Sequence, residues 1–99
     1  MIVASIGAYD PFQTIGHYSV TKTALLGMGK VLAKELRTDG IRVNIVAPGL
    51  IKTDFSGMLW KHGEEKTIKY MQVNRLGEPR DVANTVKFLL SDEASYITG

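Results

Sequence analysis

Residues 16–49 read GHYSVTKTALLGMGKVLAKELRTDGIRVNIVAPG, a helical pattern that stops at a glycine and passes into a β-branched run closed by proline and glycine. Apolar residues recur at helical spacing through Ala24, Leu25, Met28, Val31, Leu32 and Leu36, which predicts a helix from about His17 to Arg37. Asp39-Gly40 should end it, because glycine takes the left-handed conformation of a helix C-cap without steric cost. Ile41 to Ala47, IRVNIVA, then reads as a buried strand that halts at Pro48-Gly49. Upstream, the short apolar run Ile2 to Ser5 suits a second buried strand opening into a loop at Gly7, and Asp10 to Gly16, with Pro11, reads as loop. Strand, helix and strand in this order form a β-α-β unit with parallel strands and a right-handed crossover.

Working outward, Lys52 to Tyr70 is polar and weakly periodic, and predicts short helices in an excursion anchored by Phe55, Met58, Leu59 and Trp60. Pro79 occupies the favoured first position of a helix through Leu90, with Val82, Val86, Leu89 and Leu90 on one face, and Ser91 to Gly99 reads as loop. The expected class is α/β, as part of a doubly wound parallel sheet. Its expected divisions are a β-α-β unit at 1–51, an excursion at 52–74 and a helix with its following loop at 75–99. Two strands alone would leave both sheet edges bare, so these 99 residues in isolation are expected to unfold or aggregate.

Composition excludes several classes. With 44% hydrophobic and 22% charged residues the chain is too apolar for a disordered segment. The net charge of +2 is spread along the chain, with no Lys/Arg run, which argues against a nucleic-acid partner. There is no cysteine, so no disulfide or thiolate metal site, and this suits a reducing compartment. His17 and His62 lie far apart without ligand-spaced neighbours, and read as surface or helix-start residues. The apolar stretches are too short to span a bilayer, and the first residues lack the pattern of a signal peptide.

Within YSVTK, Tyr18 and Lys22 stand four apart, on one face of the helix, where both can act on one ligand. A phenol holds its proton too tightly to act as a base near neutrality unless positive charge nearby favours the phenolate, and Lys22 supplies such a charge. Ser5, at a strand end near the helix start, is placed to hydrogen-bond a substrate oxygen. Each residue also has an ordinary reading: Tyr and Lys as a snorkelling pair at a solvent boundary, Ser5 as a turn cap, Pro48-Gly49 as a strand-ending turn. The order of the pieces favours the chemical reading. Ligands of open α/β sheets bind at the carboxyl ends of the strands, and Ser5, Tyr18, Lys22 and Pro48-Gly49 all fall on that edge.

SIGAY, YSVTK, IRVNIVAPGLIKT and the closing DEASYITG together resemble the short-chain dehydrogenases/reductases over essentially the whole chain. KTALLG, APGLIKTDFS, the following LW, and RLGEP are most similar to the peroxisomal member-4 type of NADPH-dependent carbonyl and retinal reductases. The resemblance implies a Rossmann-like fold, with Tyr18 as proton donor or acceptor, Lys22 binding the nicotinamide ribose and easing ionisation of Tyr18, and Ser5 orienting the substrate carbonyl. It implies that Pro48, Gly49 and Ile51 line the nicotinamide, that Thr53 reaches the cofactor amide or phosphate, and that Phe55 to Trp60 form a substrate lid. NADP is the expected cofactor, with NAD left open, and a ketone, aldehyde or alcohol is the expected substrate. Dimers or tetramers through the 17–37 helix are implied as well, and Gly27 and Gly29 would allow close helix approach. A peroxisomal or cytoplasmic location is implied, with no address visible in the chain.

Thr21 replaces the family's usual serine and Ala4 stands where related reductases often have a second serine. The glycine-rich dinucleotide-binding turn, the Asn-Asn-Ala-Gly segment, the helix carrying a further catalytic asparagine and the last strand do not occur among these residues, so the expectation is the proton-transfer half of a site. The competing expectation is an inactive truncated product that docks onto an intact paralogue through its long helix.

Overall fold

The computed structural model describes residues 1–99. Its centre is the expected β-α-β unit: β1 (Ile2–Val3), α1 (Gly16–Glu35) and β2 (Ile45–Val46), with β1 and β2 parallel and in register, Ile2 opposite Ile45 and Val3 opposite Val46. Then follow α2 (Gly57–Trp60), α3 (Glu64–Ile68) and α4 (Pro79–Leu90).

Both strands are shorter than the apolar runs predict. The ladder continues past β1 on one side only, through Ala4 N–H to Val46 C=O at 2.8 Å and Ile6 N–H to Pro48 C=O at 2.9 Å. Ile41 to Asn44 lies outside any strand. Asn44 C=O still accepts Ile2 N–H at 2.9 Å, but the run also takes partners from the far end of the chain, where Gly99 N–H donates to Val43 C=O at 2.8 Å and Asn44 Nδ2 donates to Ile97 C=O at 2.8 Å. A β-branched run signals strand, but its length depends on which long-range partners reach it. An unanticipated parallel bridge joins Ile51 to Gly77, bringing the segment after β2 against the start of α4. Gly77 permits this approach, since a Cβ there would stand 2.5 Å from Ile51 Cδ1.

The helix ends follow local chemistry. α1 passes at Glu35 into a 3-10 turn over Leu36–Asp39, and Gly40 closes it with φ +69°, as the sequence predicts. Pro79 opens α4, where Asp81 accepts the Glu78 backbone N–H at 2.8 Å.

The face of α1 that meets the sheet differs from its apolar stripe. Ser19 and Gly29 are buried. A Cβ on Gly29 would stand 2.4 Å from Ile45 Cδ1, so this glycine serves close packing inside the chain, whereas Gly27 has open space around it. Val20, Met28 and Val31 are exposed on the other side of the helix. The excursion also departs from expectation: Phe55 is 86% and Met58 92% exposed, so they do not anchor it. Trp60 alone of the four is half-buried.

Candidate functional site

A cavity of about 500 Å³ opens at the carboxyl ends of β1 and β2, lined by 15 residues that include Ser5, Tyr18, Pro48, Gly49, Ile51 and Thr53. Six of the seven residues singled out in the sequence therefore share one cleft. Lys22 stands behind it, with its ammonium 3.2 Å from the Val3 carbonyl oxygen and 5.7 Å from the centre of the Tyr18 ring. This cation lies close enough to the ring to interact with it, and the carbonyl at the end of β1 fixes its position.

Ser5 combines its two readings. Its Oγ accepts the Gly7 N–H at 3.1 Å, capping the 3-10 turn Ile6–Ala8, while the residue is buried and lines the cleft. A hydroxyl has one proton and two lone pairs, so the cap leaves the Ser5 O–H free to donate. Tyr18 is half-buried, and the Phe55 ring stands beside it at 6.5 Å between centroids, tilted by 40°.

Of the other lining residues, three with polar or aromatic side chains were not singled out individually as site residues in the sequence. His17, at the start of α1, lines the cleft as well as being the exposed helix-start residue expected. Phe12 lines it too, its backbone N–H donating to the buried Ser19 Oγ at 3.2 Å and its ring packing on Gly7, where a Cβ would stand 2.9 Å from it. The third is Ser56, buried beneath the cleft. Its Oγ donates to the Ile51 carbonyl and accepts from Trp60 Nε1 at 3.0 Å and from Thr53 N–H at 3.3 Å. The visible signal for Ser56 was its four-residue spacing to Trp60. There is no cluster of three or more His, Cys, Asp or Glu residues able to hold a metal ion, and no helix is long and apolar enough to cross a membrane.

A strand-end cleft in a parallel α/β unit, with tyrosine and lysine one turn apart beside it, defines the class, and comparison gives the family. All of residues 1–99 match the family model described as enoyl-(acyl carrier protein) reductase. The chain belongs to the short-chain dehydrogenase/reductase family. It is 54% identical, over its whole length, to dehydrogenase/reductase SDR family member 4 of Oryctolagus cuniculus and of Homo sapiens, covering 39% and 36% of those proteins. The chain thus spans well under half the length of these relatives. Among solved structures, a short-chain dehydrogenase/reductase from Brucella melitensis superposes on 97% of the chain with a TM-score of 0.91 and 36% identity, the chain covering 39% of it. A 4-hydroxyisoleucine dehydrogenase complexed with NADH superposes on 97% with a TM-score of 0.90 and 30% identity, the chain covering 40% of it. The parallel strands and helices are those of the family's Rossmann fold.

Proposed function

We propose that these residues form the proton-transfer half of an oxidoreductase that reduces ketones or aldehydes to alcohols with a nicotinamide cofactor. The observation that carries this reading is the convergence of Ser5, Tyr18 and Pro48 to Thr53 on one cleft, with the Lys22 ammonium 5.7 Å from the Tyr18 ring centre. In it the free Ser5 O–H hydrogen-bonds the substrate carbonyl oxygen and holds it in line. Tyr18 donates its phenolic proton to that oxygen as charge develops there, and Lys22 favours the phenolate left behind. In the alcohol-oxidising direction the same phenolate takes the proton back.

The cleft suits the nicotinamide end of the cofactor. A Cβ at Gly49 would meet nothing within 4 Å, and Gly49 is not among the positive-φ glycines, so neither packing nor backbone conformation within the chain calls for glycine there. A flat ring laid against this backbone would. Pro48, Gly49 and Ile51 would line that ring, Thr53 would reach its amide or a phosphate, and Lys22 would bind the ribose. When bound, the cofactor supplies the hydride that adds to the carbonyl carbon. NADP is the proposed form, on the resemblance to NADPH-dependent reductases; NAD is the alternative to titrate beside it.

The test uses the full-length protein carrying these residues. Tyr18→Phe is expected to lower carbonyl-dependent NADPH oxidation by about 10²- to 10⁴-fold, the range for a lost general acid, with NADP binding retained. Unchanged turnover would sink the assignment. Self-association through the open face of α1, where Val20, Met28 and Val31 are exposed, is proposed with it. That face also supports the second reading, a product of these residues alone that docks onto an intact paralogue. An in-frame glycine-rich dinucleotide-binding segment upstream would decide for the enzyme.

A further inference from the structure

We infer that Ser56 is a positioning residue that couples the nicotinamide-facing segment to the lid, an inference that rests on the function proposed above. The Ser56 side chain hydrogen-bonds to both. Its proton goes to the Ile51 carbonyl, with the Thr53 carbonyl a longer second acceptor at 3.2 Å, and its acceptor positions take Thr53 N–H at 3.3 Å on one side and Trp60 Nε1 at 3.0 Å on the other. Ile51 and Thr53 line the cleft; Trp60 belongs to α2, which packs against α3.

Hydroxyl capacity makes this arrangement directional. With its proton on Ile51 and its two lone pairs shared by Trp60 and Thr53 N–H, Ser56 is a crowded acceptor for the Thr53 hydroxyl, which lies 3.2 Å away with either oxygen able to donate. The Thr53 Oγ1 does receive the Ser56 backbone N–H, at 3.4 Å. A ligand acceptor in the cleft therefore competes for the Thr53 proton only with this crowded contact. A ligand that accepts it fixes Thr53, and through Ser56 fixes the indole and the helix that carries it. The Lys52 ammonium, 5.1 Å over the Trp60 ring and 2.8 Å from Glu64, makes a second tie, but that pair is solvent-exposed and correspondingly weak. Phe55, Met58 and Leu59, all exposed, ride on this unit, so its position decides whether they meet a substrate.

Hydrogen exchange read by mass spectrometry on the full-length protein, with and without NADP⁺, tests the coupling. In the wild type NADP⁺ should slow exchange in 48–53 and also in 57–68. In Ser56→Ala the protection of 48–53 should persist while that of 57–68 is lost. The KM for a carbonyl substrate should rise roughly threefold to tenfold, the equivalent of one lost hydrogen bond, with a smaller change in kcat. Trp60→Phe keeps an aromatic side chain while removing the N–H donor together with part of the indole, so it should reproduce the loss in a second background if Ser56→Ala folds poorly. Undiminished protection of 57–68 in these variants, or wild-type protection confined to 48–53, would overturn the coupling alone. No protection of 48–53 in the wild type would instead overturn the nicotinamide reading, and the coupling with it.

Discussion

Lys22 illustrates how a residue can be placed by one group to act on another. Its ammonium bonds the Val3 carbonyl at 3.2 Å, so the end of β1 sets its distance from the Tyr18 ring. Lys22→Ala removes both contributions proposed for this residue, the positive charge beside Tyr18 and the ribose contact. It should lower turnover in the full-length protein by about 10²-fold and weaken NADP binding, which steady-state kinetics and a binding titration check separately. The two glycines of α1 give opposite expectations. Gly29→Ala forces Ile45 to move, because the new methyl would stand 2.4 Å from Cδ1 and 2.6 Å from Cγ1. Overpacking of that kind costs about 1–3 kcal/mol, more than the roughly 1 kcal/mol by which alanine improves helix propensity, so net destabilisation is expected. Gly27→Ala meets open space and should stabilise by up to about 1 kcal/mol. Thermal or chemical unfolding of the two variants in the full-length protein reads the difference in sign.

At the scale of elements, the start of α4 is held by a two-pronged ion pair. The Arg75 guanidinium bonds both Asp81 carboxylate oxygens, at 2.7 and 2.9 Å, and the same carboxylate accepts the Glu78 N–H at 2.8 Å. The Arg75 hydrogen bond, then that from Glu78, lowers the Asp81 pKa from the ordinary 3.8 to about 2. A carboxylate depressed on folding stabilises the folded state above its unfolded pKa, and that contribution disappears as pH falls from about 4 through about 2. Unfolding measured across this window should show the loss in the wild-type full-length protein and a smaller one in Asp81→Asn. Legibility at this scale depends on range. The start of α4 at Pro79 and the end of the α1 segment at Gly40 could be read locally, whereas the two-residue extent of β2 and the Ile51–Gly77 bridge depend on partners about 25 to 55 residues away along the chain.

For the whole molecule, only 13 of 99 residues are buried, while Tyr9, Phe55, Met58, Tyr70 and Tyr96 stand in the open. The radius of gyration is 15.2 Å, against about 13 Å for a compact domain of this length. Two paired strands of two residues each cannot supply a core at this ratio. The 99-residue polypeptide alone is therefore expected to show no cooperative melt by circular dichroism and to aggregate in sedimentation; a sharp transition from a monomer would refute this. Co-expression with the remainder of a family domain should restore a cooperative transition, because the bare sheet edges and open apolar surfaces then gain partners.

The amino-acid order by itself determined the β-α-β unit, the ends of its long helix and the gathering of Ser5, Tyr18 and the Pro48–Thr53 segment at one strand edge. Helix periodicity, proline and glycine stops, and the direction of parallel strands are local or topological properties, and they survive without knowledge of distant contacts. Tertiary structure decided that Gly29 packs on Ile45, that the apolar residues of the 52–74 excursion stand exposed, and that a buried serine bonds both the Ile51–Thr53 segment and Trp60. Each of these depends on which groups arrive from elsewhere in the chain to fill a space or complete a hydrogen bond, and no spacing along the sequence records that.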